Sequence, residues 1–245
     1  KLRQVTLDNG VDCWGFSSTQ YVQEAVNRAK LVAKAPAPMT NGYRPEIDIS
    51  EELPEDEASY YHSLIGVLRW IVELGRVDIN TEVSMMSSHL ALPRRGHLDE
   101  VLHIFAYLKK KHNSEMVYDP TEPEIDRAAF PREDWSYSIY GDDNLDEVLP
   151  INMPSPIGKS FTMRVYVDSD HAGDQVTRRS RTGFIVFLNS APIYWSSKKQ
   201  NSCETSTYGS ELLAMKQATE YVRGLRYKLR MMGIPVDEPA FVFSD

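Results

Sequence analysis

The sequence predicts a mixed α/β chain, α+β overall: a small hairpin and a mostly helical bundle, then a mixed sheet with helices packed on it. Three observations predict this. Residues 1–16, KLRQVTLDNGVDCWGF, alternate apolar and polar around Asp8-Asn9-Gly10, the turn chemistry of a β-hairpin. Residues 17–112 then carry apolar positions at helical spacing. Beyond residue 160 the pattern reads β-β-β-α-β, which calls for strands in one sheet and a helix across its face.

Each element has a local reason. Ser17 followed by Gln20 has the spacing of a capping box, and Val22, Ala25, Val26, Ala29 and Ala33 fall on one face of the helix after it. Pro36 and Pro38 stop that helix. From Glu55 to Gly75, the residues Tyr61, Leu64, Ile65, Leu68, Ile71 and Val72 share a side, and Gly75 suits the left-handed stop. Asp78 caps a further expected helix running to Leu92, ended by Pro93. Another is expected from His97 to His112, closed by Lys109-Lys110-Lys111 at the negative end of its dipole. SEMVYDP reads as a short strand, and residues 119–159 as an acidic, proline-rich linker, ordered in part at best. FTMRVYVD, the hairpin RTGFIVFLNSAPIYWSSKKQ, a helix over 208–232 and the strand AFVFSD complete the chain.

Composition narrows the function classes. The chain has 245 residues, a net charge of −8 and two cysteines, Cys13 and Cys203, so neither a disulfide scaffold nor a cysteine zinc site fits. No apolar run reaches membrane-spanning length, and no membrane partner is expected. The charge is uneven. Residues 160–233 hold eleven Lys/Arg against six Asp/Glu, whereas residues 114–152 hold two against eleven. Taken alone, the net charge argues against a nucleic-acid binder, but charge is read domain by domain, and the C-terminal third is basic. Lys at position 1 and a strand-like end at Asp245 suggest a piece of something longer.

RVYVDSDHAGD, residues 164–174, concentrates three carboxylates at the end of a strand. It fails as an EF-hand loop, because Ala172 and Arg179 stand where ligands are needed. IYGDDN, residues 139–144, lies in acidic, proline-rich surroundings and reads as a surface turn. The six histidines lack zinc spacing and read as surface or satisfied core residues. Arg178, Arg179, Arg181, Lys198 and Lys199 gather at hairpin ends, either as a solvated rim or as a phosphate track. The acids Asp168, Glu211 and Asp245 sit at a strand end, a helix onset and a second strand end. If the two strands are neighbours, the three converge where two divalent ions about 4 Å apart can drive in-line attack on a phosphodiester.

The stretch from Tyr166 to Glu220, with its D-S-D-H-A-G-D strand end, R-S-R-T-G hairpin and I-Y-W-S-S-K-K-Q run, resembles the ribonuclease H domain of copia-type retrotransposon polyproteins. Residues 60–112 similarly resemble the thumb-and-connection segment that follows the polymerase palm of their reverse transcriptase. The resemblance implies a thumb/connection-like segment at 1–118, a linker at 119–159 and a ribonuclease H-like mixed sheet at 160–245, truncated at its C-terminus.

It further implies that Asp168, Glu211 and Asp245 hold Mg²⁺ (or Mn²⁺) and that the RNA strand of an RNA–DNA hybrid is cut, with the backbone at Ser169 and the side chain of Ser206 near the 2′-hydroxyls. Gly209 stands where the family often carries an additional glutamate. Implied partners are hybrid or primer–template nucleic acid and the polymerase palm, in cytoplasmic virus-like particles or the nucleus. The rival reading is a catalytically incomplete or degenerate remnant that binds nucleic acid or serves as a structural module.

Overall fold

The computed structural model describes residues 1–29, 33–131, 137, 139, 147 and 149–244. Its strands are β1 (Leu2–Thr6), β2 (Asp12–Ser17), β3 (Glu115–Tyr118), β4 (Met163–Asp170), β5 (Arg181–Leu188), β6 (Ala191–Lys199) and β7 (Ala240–Phe243). Its α-helices are α1 (Thr19–Arg28), α2 (Glu55–Glu73), α3 (Asn80–Met86), α4 (Arg95–Lys110) and α5 (Thr207–Met231). This is the mixed α/β architecture that the sequence predicts.

The N-terminal hairpin turns through Gly10 at φ +81°, which glycine adopts without a Cβ penalty. It gains a third strand, because β3 pairs antiparallel with β2. The four preceding helices bury Val22, Tyr61, Leu68, Ile104, Phe105 and Leu108 in one apolar core. α2 carries Glu55, Asp56 and Glu57 in its first turn, where the dipole favours acids, and stops before Gly75 at φ +98°.

Two local expectations fail for tertiary reasons. The Ser17–Gln20 capping box does not form: Ser17 ends β2 opposite Glu115 and its hydroxyl accepts from the Thr19 amide at 3.2 Å, the N-cap is Ser18 without a side-chain bond, and Gln20 bonds Glu24 instead. The single helix expected over 78–92 is broken into a 3₁₀ turn at Val77–Ile79, α3, and another 3₁₀ turn at Ser87–His89. The buried Tyr61 hydroxyl donates to the Met86 carbonyl at 2.7 Å, an oxygen a continuous helix needs. Ser87 and Ser88 donate back to the carbonyls of Val83 and Ser84, which further weakens the ladder.

The C-terminal sheet has the order β6-β5-β4-β7. β4 is antiparallel to β5 and parallel to β7, so the chain needs a crossover between β6 and β7, and α5 provides it. α5 presents Ala214, Ala218 and Val222 to Met163, Val165, Val167, Phe184 and Val186, small side chains that let the helix lie close to the sheet. On the opposite face Tyr166 stacks on Phe243 with ring centroids 5.0 Å apart.

Residues 119–159 contain no α-helix or strand among the described residues. They are nonetheless tied to the C-terminal sheet and helix. Arg127 pairs with Glu238 at 2.7 Å, Phe130 packs edge-on against Phe241 and Phe243, and Glu147 bonds both Arg226 and Arg230. The two cores also meet. Trp195 of β6 packs against the helical core, Ser84 donates to the Ser197 carbonyl at 2.6 Å, and Arg181 donates to Ser84 Oγ at 2.7 Å.

His89 lies at this junction, with its ring centroid 4.4 Å from that of buried His97. Burial, and then the neighbouring His97 and Lys199, hold its pKa down from 6.5 to about 4. A depressed pKa means that the folded state keeps His89 neutral. The associated stability is present above pH about 6.5 and is lost as pH falls through about 4. Denaturant unfolding across that window should show stability declining as pH falls, with a shallower decline in His89→Gln; equal slopes in the two proteins would contradict this assignment.

Candidate active site

The three carboxylates of the 164–174 stretch separate into different jobs. Asp174 accepts from the amides of Val176 and Thr177 and from Lys199 Nζ at 2.8 Å. Burial raises its pKa, but the Lys199 and Thr177 hydrogen bonds outweigh that and hold it well below the usual carboxylate range. Asp170 lies against the backbone of Gly173, where a Cβ would stand 1.9 Å from its Oδ2, so a larger residue would displace that carboxylate. These two acids build the turn. Asp168 remains, exposed near the end of β4.

Asp168 meets Glu211 through one residue. The Ser169 N–H donates to Asp168 Oδ1 at 2.7 Å and also to Glu211 Oε1 at 3.2 Å. The two oxygens therefore lie within about 6 Å of each other, the sum of those distances. The Ser169 hydroxyl donates to the same Glu211 oxygen at 2.6 Å. Glu211 Oε2 is buried and has no hydrogen-bond partner among the described residues. A buried, unbonded carboxylate oxygen costs about 1–3 kcal/mol or more, and it is available to a cation.

The fold explains this meeting. Ser206 caps α5, its side chain accepting from the Gly209 amide at 3.1 Å. Glu211 then falls near the positive end of the helix, where a carboxylate is favoured. α5 packs on β4, so its first turn arrives at the end of that strand. β7 runs parallel to β4 with Phe243 opposite Tyr166, which brings both strands out on the side where Asp168 stands. Asp245 lies outside the described residues, as do residues 140–144 of the acidic turn. Among the described residues no group of three His, Cys, Asp or Glu side chains is placed to hold a metal ion. A cavity of about 620 Å³ opens beside Asp168, lined by Tyr166, Ile185, Trp195, Phe243 and, from the helical part, Asn80.

The basic residues divide. Arg178, Arg179 and Lys198 are exposed and form no ion pair among the described residues. Arg181 is turned inward to Ser84, and Lys199 is paired with Asp174, so both serve the fold. Arg178 itself sits at φ +54°, a tight left-handed turn that projects it from the β4–β5 loop. His97 has both ring nitrogens bonded, to the Arg94 amide and the Pro45 carbonyl, which makes it a satisfied core residue. Sequence reasoning missed a buried polar group beneath the site, Ser180, Thr182, Gln200 and Ser210, each no more than 1% exposed. Thr182 lies on β5, Ser210 on α5, and Ser180 and Gln200 just outside β5 and β6; as sequence they read as ordinary polar residues, and only tertiary packing buries them.

A four-stranded mixed sheet of this order, with a helix crossing one face and two carboxylates joined at one end, is consistent with a ribonuclease H-like fold. The chain is a homologue of retrovirus-related Pol polyproteins from copia-type transposons, at low identity but over most of its length. It is 21% identical, over 94% of its residues, to the Pol polyprotein from transposon RE1 of Arabidopsis thaliana. It is 22% identical over 71% to that from transposon TNT 1-94 of Nicotiana tabacum, and 24% identical over 57% to a putative transposon Ty5-1 protein of Saccharomyces cerevisiae. It spans 13% of the length of the RE1 protein, 10% of the TNT 1-94 protein and 33% of the Ty5-1 protein. No family model matches it, and no solved structure does.

The strain at Glu211 has a measurable consequence. Replacing Glu211 by Gln keeps an acceptor for Ser169 and removes a buried charge facing Asp168. In metal-free buffer, Glu211→Gln should stabilise the chain by about 1 kcal/mol, read as a rise in denaturant midpoint; a fall would show that the carboxylate is already satisfied.

Proposed function

We propose that this chain works as part of a copia-type Pol polyprotein and that its C-terminal half is a ribonuclease H, cutting the RNA strand of an RNA–DNA hybrid. The observation that carries the reading is the Ser169 amide shared by Asp168 and Glu211, with Glu211 Oε2 left buried and unbonded. Its relatives' printed descriptions as Pol polyproteins imply enzymatic domains of this kind.

The donor set suits a hard divalent cation. Mg²⁺ (or Mn²⁺) is bound by carboxylate oxygens, and Asp168 with Glu211 offers them without a competing Lys or Arg bond among the described residues. We assign Asp168, Glu211 and Asp245 as the residues that would hold it. When bound, such ions supply charge neutralisation at the scissile phosphate and a more acidic water. The protein's own part is placement. Ser169 fixes the two carboxylates against each other, and its backbone lies where a 2′-hydroxyl can be read. The Ser206 hydroxyl, whose oxygen caps α5, retains its hydrogen for a sugar or phosphate contact. Arg178, Arg179 and Lys198 provide exposed positive charge for the flanking phosphates. Residues 1–118 are proposed as the thumb/connection-like segment that grips primer–template, and residues 119–159 as the strap joining it to 160–245.

The test is a cleavage assay with end-labelled RNA–DNA hybrid, DNA duplex and RNA duplex in Mg²⁺, on this chain and on a longer polyprotein form. The reading expects cleavage confined to the RNA of the hybrid, lost at least about 100-fold in Asp168→Asn, with hybrid binding kept. Binding without cleavage by both forms would instead identify a nucleic-acid-binding module.

A further inference from the structure

Beneath the carboxylates the core changes character. Along most of α5 the helix meets the sheet through apolar side chains such as Ala214, Ala218, Val165 and Phe184. At the site end it meets it through Ser180, Thr182, Gln200 and Ser210, all buried. Gln200 is the centre of that patch. Its Nε2 donates to Thr182 Oγ1 at 3.1 Å and to the Ser210 carbonyl at 3.0 Å, and its own amide donates to the Ser180 carbonyl at 2.8 Å.

The two side-chain bonds have well-placed ends. Thr182 is the register partner of Ser169 across β4 and β5. Ser210 immediately precedes Glu211 on α5. Gln200 therefore links the strand position that carries Ser169 to the helix position that carries Glu211, the two groups joined at 2.6 Å. The same patch holds the acidic turn. The Ser180 hydroxyl accepts from the Ala172 amide at 3.0 Å, and His171 Nδ1 lies 3.2 Å from Ser210 Oγ.

This arrangement is costly for the fold alone. Gln200 Oε1 is buried without a partner among the described residues, a defect an apolar residue of the same shape would not carry. We infer that Gln200 is a positioning residue: its side-chain amide sets the first turn of α5 against β4 so that the Glu211 carboxylate stays on Ser169, beside Asp168. The inference rests on reading Asp168 and Glu211 as the metal-binding pair. Gln200 touches neither carboxylate and acts through Thr182 and Ser210.

Amide hydrogen exchange on the intact, metal-free chain tests it. Gln200→Met keeps the length and removes both donors. Ser169 should exchange about ten-fold faster in that variant, while Val165 and Val186 in the same sheet are unchanged. Equal Ser169 exchange in the two proteins overturns the inference, as does uniform acceleration across the sheet, the mark of an ordinary core residue. If Gln200→Met does not fold, Thr182→Val removes one of the two acceptors and should accelerate Ser169 about three-fold, with no change at Ser169 again counting against it. Mn²⁺ titration followed by electron paramagnetic resonance runs in parallel. A wild-type chain without Mn²⁺ affinity removes the metal reading, while Ser169 exchange still decides the role of Gln200. Wild-type affinity that falls about ten-fold in Gln200→Met, at an unchanged melting temperature, supports both; affinity equal in the two overturns the positioning role.

Discussion

One backbone N–H joins the two carboxylates at the end of the C-terminal sheet. Ser169 points its amide at both Asp168 and Glu211, and its hydroxyl at Glu211 as well. Two carboxylates drawn this close repel, and among the described residues neither has a Lys or Arg ion pair to offset the repulsion. The arrangement persists because β4 and α5 are fixed elsewhere, through Val165, Val167, Ala214, Ala218 and Val222. Apolar burial along the shared face of β4 and α5 thus sustains a locally unfavourable charge pair.

The helical part is built into the same body. Arg181 reaches across to Ser84, and Trp195 inserts toward the helical core, so the outer edge of the sheet is packed rather than free. The described residues of 119–159 pack onto the C-terminal sheet and helix. Phe130 covers the aromatic face at β7, and Glu147, its pKa held down to about 2 chiefly by the Arg226 hydrogen bond, anchors to the far side of α5. The acidic excess of that segment therefore has a physical use: part of it neutralises the basic C-terminal half of α5.

Much of this was legible in the sequence where the signal is local. Period-2 alternation located β4 to β6, Asn9-Gly10 located the first hairpin, and Gly75 located the end of α2. Asp168 and Glu211 stood out by position at a strand end and a helix onset, and the copia-type resemblance ordered them. What stayed hidden depends on partners distant in the chain. The break in the expected 78–92 helix comes from a hydroxyl on Tyr61, and the failed capping box at Ser17 from its place at the end of β2 opposite Glu115. The inward turn of Arg181 comes from Ser84, ninety-seven residues away. The burial of Gln200 likewise follows from α5 landing on it. Periodicity reports which face is apolar; it does not report which polar group that face will meet.

The central claim is that the ends of β4 and α5 form a divalent-cation site. A crystal of this chain grown with Mn²⁺ and measured at a wavelength where manganese scatters anomalously tests it most directly. The account predicts an anomalous peak in bonding contact with both Asp168 and Glu211, with Glu211 Oε2 among the ligands and Ser169 still donating to Oε1. A map without a peak there, or with manganese bound only at other carboxylates, would contradict it.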